Sequence, residues 1–223
     1  MIIAIDGPAG SGKSTVAKLV AGRLGFHYLD TGAMYRAVAH RALSLGVSLA
    51  DEDAIAAIAA TDEISFGHES GATLPSIVRI ADEDVTSAIR LPEIDDAVSA
   101  VARMPRVREA MVAQQRALGD QDDIVVEGRD IGTVVFPDAE VKVFLTATPQ
   151  ERARRRAAQQ ALTGIASDAA GVQEAIERRD CADSTRAHSP LVPAADAVEL
   201  DTTGLTLMEV VEAIAALAEE RSA

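Results

Sequence analysis

Apolar positions along this chain follow two rhythms. Five short runs of consecutive aliphatic residues, "MIIAID", "FHYLD", "DIVVEG", "VKVFLTA" and "AVELDTT", are too short for helices and end at glycine, aspartate or threonine, so they read as strands. Between them the spacing lengthens. In "KSTVAKLVAGRLG", Val16, Leu19, Val20 and Leu24 share one helical face, and Gly25 is placed to cap the helix end. "MYRAVAHRALSLG" repeats the pattern and predicts a second helix closed by Gly46. Two further helix starts carry capping boxes, Thr148 with Glu151 (Pro149 at the first helical position) and Thr206 with Glu209. Buried-type strands alternating with amphipathic helices predict an α/β fold: a parallel, doubly wound, five-stranded sheet flanked by helices.

Two stretches depart from this alternation. About ninety residues separate "YLDTG" from "DIVVEG", far more than one crossover helix needs. Within them "DEISFGH", "PSIVRI" and "DVTSAI" predict a small antiparallel sheet, with "ADE" as a tight turn. "IDDAVSAVARMPRVREAMVAQQRALG" then predicts two helical segments broken near Pro105. The second interruption, from Glu151 to about Leu191, is helical and rich in arginine. These boundaries predict one domain over residues 1–223, with a core of 1–32, 99–150 and 192–223, a mixed α/β insertion at 33–98 and a helical lid at 151–191.

Composition removes several function classes. Aromatic residues make up 3% of the chain and Trp is absent, which leaves no platforms for stacking bases. A formal net charge of −14 argues against nucleic acid or a membrane surface as partner. No apolar run approaches the roughly 20 residues of a membrane span, and "MIIAIDGPAG" lacks the basic start of a signal peptide, so a cytoplasmic protein is expected. Cys181 stands alone and reads as an inert thiol, and the four histidines have no metal-ligand spacing. No long apolar surface stripe is left over, so a monomer is expected.

The chemistry begins at "GPAGSGKS", which fits G-x-x-x-x-G-K-S, follows a strand and opens a helix, the context a phosphate-binding P-loop requires. Gly7, Pro8, Ala9, Gly10, Ser11, Gly12, Lys13, Ser14 and Thr15 form this loop and the first helical turn. Its backbone N–H groups and the helix dipole attract phosphate, Lys13 reaches the outer phosphates, and the Ser14 hydroxyl can ligate Mg²⁺. The loop implies a nucleoside triphosphate and leaves the reaction open. The guanine-reading N-K-x-D is missing, which removes a GTPase switch. Arginine is more telling. Lys13, Lys18 and Lys142 are the only lysines, while Arg36 and Arg129 follow predicted strands two and three. In open α/β sheets the ligand sits beyond the carboxyl ends of the strands, where a guanidinium grips phosphate in bidentate fashion. In "RRDCADSTRAHSPL", Arg179 and Arg186 lie about two helical turns apart, and Arg186 falls past the helical periodicity and before Pro190. The run Arg152 to Arg156 reads equally as a salt-bridged helix surface and as phosphate ligands, with Arg155 the best-placed candidate.

Taken together, "IDGPAGSGKST", "YLDTGAMYR", "PRVREA", "EGRDIGTVVFPDA", "RDCADSTRAHSPL" and "PAADAVELDT" resemble the bacterial cytidylate kinases (CMP/dCMP kinases) among the P-loop nucleoside monophosphate kinases, over nearly the whole chain. The resemblance implies a core sheet, a monophosphate-binding insertion and a mobile lid, and transfer of a phosphoryl group from ATP to CMP or dCMP with Mg²⁺. It implies that Arg36, Arg129, Arg179 and Arg186 contact phosphates or ribose of the acceptor and that Asp183 contacts the sugar. By the same resemblance Asp30, Thr31, Ser99, Arg108 and Asp130 line the nucleoside pocket, and Lys13, Arg129, Arg155 and Arg186 serve catalysis. Glu127 has two readings, a Mg²⁺ ligand through water or a group that orients Arg129. Two other classes stay open at this point: a P-loop kinase for UMP or another small molecule, and a nucleotide-binding switch without catalysis.

Overall fold

The computed structural model describes residues 1–68, 74–119, 123–162 and 169–222. In chain order the elements begin with β1 (Ile2–Asp6), α1 (Lys13–Leu24), β2 (His27–Asp30), α2 (Thr31–Ser44), α3 (Glu52–Thr61), β3 (Ile64–Gly67), β4 (Ile77–Ile80) and β5 (Glu83–Asp84). They continue with α4 (Pro92–Val101), α5 (Pro105–Gly119), β6 (Ile124–Glu127), β7 (Val141–Thr146), α6 (Pro149–Leu162), α7 (Ala169–Ser184), β8 (Val198–Asp201) and α8 (Leu207–Ser222). The chain folds into two compact units, Met1–Phe26 with Asp123–Ala223, and His27–Asp122.

The five-stranded sheet has the order β2-β6-β1-β7-β8, and each of the pairs β6–β1, β1–β7 and β7–β8 is parallel. In the first unit β1 is central: Ile3 stands opposite Val125 on one side and Val141 on the other, and Ile3, Ala4 and Ile5 are fully buried. A strand covered on both faces has no polar side to present, which is why "IIAI" reads as continuous rather than alternating. Helices α1 and α8 pack on each other and on the sheet. Their buried stripes, Val16 and Val20 from α1 and Val210, Ile214 and Ala218 from α8, recur at helical spacing. Gly25 closes α1 in the left-handed conformation, its N–H donated to Ala21 O.

The two capping boxes differ. At α8 the box is complete: Glu209 Oε2 accepts the Thr206 N–H at 2.7 Å, and Thr206 Oγ1 accepts the Glu209 N–H at 3.3 Å. At α6 only half forms. Thr148 Oγ1 accepts the Glu151 N–H at 3.3 Å, but the Glu151 carboxylate turns to Arg154 and Arg155 at 2.7–2.8 Å. A bond to a guanidinium is charge-assisted and outcompetes a backbone N–H, and the Thr148 N–H goes instead to Thr203 Oγ1 at 2.9 Å.

In the second unit α2 starts three residues before the expected "MYRAVAH", because the Asp30 carboxylate accepts the Ala33 N–H at 2.8 Å and caps the helix ahead of Gly32. It ends at Ser44, and Gly46 follows with φ +68°. The antiparallel β3–β4 pair sets Ile64 opposite Ile80, and the turn from β4 to β5 uses Ala81 and Asp82 at φ +47° and +64°. The third strand, expected over "DVTSAI", is confined to Glu83–Asp84, so that Glu83, expected in the "ADE" turn, is already in the strand. Thr86 stops it: Thr86 Oγ1 accepts the Val78 N–H at 2.9 Å, while the Thr86 N–H is drawn to Asp84 Oδ1 at 3.0 Å. A 3₁₀ turn, Ala88–Arg90, follows. The break near Pro105 is present, with Pro105 as the first residue of α5. Met34, Ile55, Ile80, Ile89, Ile94 and Met111 are buried here.

Candidate active site

The phosphate loop joins the end of β1 to the start of α1. Gly7 has φ +148°, and a Cβ there would stand 2.0 Å from Leu145 O, so only glycine lets the loop leave the sheet at this angle. The α1 N-terminus is preceded by Gly12, which brings no side chain to the first-turn N–H groups and leaves them for an anion. Lys13 is 6% exposed; its Nζ donates to Pro8 O at 2.8 Å and to Ser11 Oγ at 3.4 Å. Burial pushes the Lys13 ammonium well below the usual lysine range. The nearby Arg129 charge adds to that and Arg179 does so more weakly, while Glu127 and Asp6 oppose it. Burying an ammonium within reach of two guanidinium charges is costly, and the Glu127 and Asp6 carboxylates offset part of that cost.

The Ser14 hydroxyl donates to Glu127 Oε2 at 2.9 Å, and Glu127 is buried at the end of β6. Both are hard oxygen donors. Among the described residues no group of three or more His, Cys, Asp or Glu side chains could enclose a metal. One or two protein oxygens, completed by water and phosphate, are the donor set that suits Mg²⁺, so the residues present fit that ion.

Four expected arginines belong to this unit. Arg129 follows β6 and donates from Nε to Asp183 Oδ2 at 3.1 Å; Arg186, just beyond α7, pairs with Asp183 Oδ1. Asp183 is therefore buried between two guanidinium groups and holds both. Arg179 is half-buried on α7, and its charge reaches Lys13. Arg155 donates to Ser11 O at 3.2 Å and to Thr202 Oγ1 and O at 2.8 and 2.9 Å. Within the run Arg152–Arg156, Arg154 is exposed and pairs with Glu151 on its own helix, whereas Arg155 and Arg152 turn to the phosphate loop.

Asp6 escapes a motif-based reading. As the last residue of β1 it accepts the Ile131 and Gly132 N–H groups, each at 2.8 Å, one on each carboxylate oxygen. It thereby anchors the turn that follows Arg129 and Asp130, where Val135 N–H bonds back to Asp130 O at 3.2 Å and Phe136 N–H to Ile131 O at 2.7 Å. Burial raises the Asp6 pKa to about 6 against the pull of those two N–H bonds; the Asp130 charge adds to the rise and Lys13 opposes it. An acidic residue at the tip of an otherwise apolar strand was the available signal. Asp130 is itself buried.

The second unit holds its own group of expected residues. Asp30 serves as the α2 cap, and Thr31, the first residue of that helix, is buried. Arg36 donates to Ile89 O at 3.2 Å and pairs with Asp95. Ser99 Oγ donates to Asp95 O at 3.2 Å. Arg108, 5% exposed on α5, donates to Ala102 O at 3.1 Å and lies over the Tyr35 ring, 5.4 Å from its centroid. Asp95 and Tyr35, which contact the two arginines, were not expected; Asp95 four residues before Ser99 on α4, and Tyr35 next to Arg36 on α2, were the available hints.

A parallel sheet whose central strand runs into a glycine-rich phosphate loop, with a buried lysine facing clustered arginines, defines a P-loop phosphotransferase. The family model described as cytidylate kinase matches residues 3–220, and the chain belongs to that family. It is 49% identical over 219 residues to the cytidylate kinase of Desulfitobacterium hafniense (strain Y51), covering 98% of this chain and 93% of that one. It is 51% identical over 214 residues to the cytidylate kinase of Pelotomaculum thermopropionicum, covering 96% and 94%. With the cytidylate kinase of Streptococcus pneumoniae (strain 70585) it shares 50% over 219 residues, covering 98% and 97%. Among solved structures, an uncharacterized protein from Eubacterium ventriosum ATCC 27560 superposes with a TM-score of 0.54 at 11% identity, covering 98% of each chain, a likeness of fold alone.

Proposed function

We propose that this protein transfers the γ-phosphoryl group of ATP to CMP, and to dCMP, giving ADP and CDP or dCDP, as a cytoplasmic, monomeric enzyme of pyrimidine nucleotide metabolism. One observation carries the chemistry: the buried Lys13 ammonium on the phosphate loop, depressed by burial and by the charges of Arg129 and Arg179. The names of the relatives point to CMP as acceptor.

In the reaction an oxygen of the acceptor phosphate attacks Pγ, and the bond from Pγ to the β-bridging oxygen breaks. Little covalent chemistry is left to the protein, so positioning and charge neutralisation dominate. The loop Gly7–Thr15 cradles the donor phosphates, and Lys13 leaves Pro8 O to meet the charge that grows on them. Ser14 would hold Mg²⁺, with Glu127 acting through water, and the ion would supply charge neutralisation at the donor phosphates. Arg129, Arg155, Arg179 and Arg186 contribute guanidinium charge, and Asp183 keeps Arg129 and Arg186 apart and oriented until the anion arrives. Asp183 then turns to the ribose. Residues 151–191 act as the lid, and residues 33–98 as the monophosphate-binding insertion within a core of 1–32, 99–150 and 192–223. Arg36 takes the acceptor phosphate, Asp30 and Thr31 line its pocket, Arg108 and Ser99 donate to N3 and O2 of cytosine, and Asp130 accepts from its N4 amino group. A lid over the site excludes water, which would otherwise accept the phosphoryl group.

The test is a panel of nucleoside monophosphates with ATP and Mg²⁺, read by detection of the diphosphates. CDP formed from CMP, well ahead of UDP from UMP, is the expected result. A turnover led by UMP or by another acceptor would reassign the substrate, and nucleotide binding without any diphosphate product would make the protein a switch.

A further inference from the structure

The motif Gly7–Ser14 explains the phosphate loop by its own residues, yet one residue of the loop, Ala9, is held from outside on both its N–H and its C=O. The Ala9 N–H is donated to Asp180 Oδ1 at 2.9 Å, and Ala9 O accepts from Arg152 Nη1 at 3.0 Å. Arg152 and Asp180 are paired with each other, and Arg152 Nε donates to Ala147 O at 3.1 Å. Two successive peptide planes of the loop are thus fixed by one ion pair, with its arginine on α6 and its aspartate on α7. The contact is close. A Cβ on Gly10, whose φ is +76°, would stand 2.9 Å from Arg152 O and 3.1 Å from Arg152 Cβ. The Ala9 side chain packs against the buried Ala153, Val172 and Ile176 of the same two helices.

We propose that Arg152 and Asp180 are positioning residues for the phosphate loop, a clamp that seats the α6–α7 pair on the Ala9 peptide and presets the loop for ATP phosphates. The consequence for the donor rests on the phosphoryl-transfer reading above. A salt bridge that merely joined α6 to α7 would need no bonds to the loop, whereas here both partners send one bond to Ala9. The opposite role has the same starting geometry: the Asp180 carboxylate, an anion on a loop N–H, could compete with a phosphate for that group. The two roles differ in sign. A clamp, when removed, weakens ATP binding; a competitor, when removed, tightens it.

The experiment uses the full chain with Asp180→Ala, Asp180→Asn, Arg152→Lys and the double Arg152→Lys/Asp180→Ala. Two quantities are read: hydrogen exchange of the Ala9 amide without nucleotide, and KM for ATP and for CMP beside the melting temperature. A charged hydrogen bond lost from the loop predicts faster Ala9 exchange and a rise in KM for ATP of about 10-fold in Asp180→Ala, with KM for CMP within about twofold. Asp180→Asn keeps an oxygen for the Ala9 N–H and should recover most of the loss. The double variant should be no worse than Asp180→Ala, since the two residues are paired and act as one unit on Ala9. An unchanged or lowered KM for ATP overturns the proposal, as does unchanged Ala9 exchange. A fall in ATP affinity that Asp180→Asn shares in full, along with the same fall in melting temperature, also overturns it, because a general loss of packing would then suffice. Should the wild type make no CDP, the acceptor reading fails by itself, and the clamp is still read from Ala9 exchange and from ATP binding by calorimetry.

Discussion

At the scale of single residues, the chain invests its buried charge in a few anchors. Lys13 carries a depressed pKa from burial and from neighbouring arginine charge, and that stress is relieved when phosphate arrives. Lys13→Ala should therefore stay folded and lose turnover by about 10³-fold or more, the scale of removing a preorganised charge from a transition state. Steady-state kinetics beside a melting curve checks this, and near-normal turnover would take the loop lysine out of the mechanism. Asp6 makes a different prediction. Its folded-state pKa is raised to about 6 from 3.8 by burial. The folded protein then holds a proton at pH 5 that the unfolded chain has released, so this group's contribution to stability is complete below pH 4 and is lost as pH rises through about 6. By linkage the loss amounts to about 3 kcal/mol at most. The stability gap between wild type and Asp6→Asn should therefore shrink as pH goes from 4 to 7, measured by urea unfolding at each pH. A gap that widens would mean that the Ile131 and Gly132 N–H bonds outweigh burial and depress the pKa instead.

Elements are specified unevenly. Helices α1 and α8 form where their caps and apolar stripes say they should, and the full Thr206–Glu209 box is a local device that needs nothing distant. The β4–β5 connection is less comfortable. Ala81 and Asp82 both sit in the left-handed region, at φ +47° and +64°, to make the two-residue turn whose twist suits a hairpin. A Cβ in that region costs roughly 1–2 kcal/mol, of which glycine returns part as extra unfolded-state entropy. Ala81→Gly should thus stabilise the protein by about 0.5–1 kcal/mol without touching activity, seen as a small rise in urea midpoint. A destabilised variant would show that the Ala81 methyl packs usefully in the turn.

At the scale of the molecule, a chain of net charge −14 keeps its arginines where carboxylates hold them: Arg129 and Arg186 on Asp183, Arg36 on Asp95, Arg152 on Asp180. Selectivity for the base follows from donors and acceptors. Cytosine pairs an N4 donor with N3 and O2 acceptors, while uracil reverses positions 3 and 4. On the proposed assignment, in which Asp130 accepts and Arg108 donates, UMP would leave both mispaired, and discrimination of about 10²-fold is expected. Asp130→Asn, whose amide can donate to O4, should narrow the CMP/UMP ratio of kcat/KM, and Arg108→Ala should harm CMP more than UMP. If neither variant shifts that ratio, the base is read by other groups.

The strand, loop and helix around Gly7–Ser14 were legible from sequence alone, because the signals that mark them lie in contiguous residues: a buried-type strand, spaced glycines, a helix start; the bonds from Asp180 and Arg152 to Ala9 were not among those signals. The parallel sheet and the break at Pro105 followed for the same reason, from local periodicity and one missing N–H. Within Arg152–Arg156 the sequence put Arg155 first but gave no sign that Arg152 also turns to the loop, since the period gives a face but not what stands opposite it. Nor could it see that Asp6 would hold amides at 131 and 132, that Asp183 would take Arg129 across 54 positions, or that Thr86 would end a strand by bonding Val78. Those pairings were decided by tertiary structure, because a buried polar group takes whichever partner packing brings within about 3 Å, and chain separation does not enter that distance.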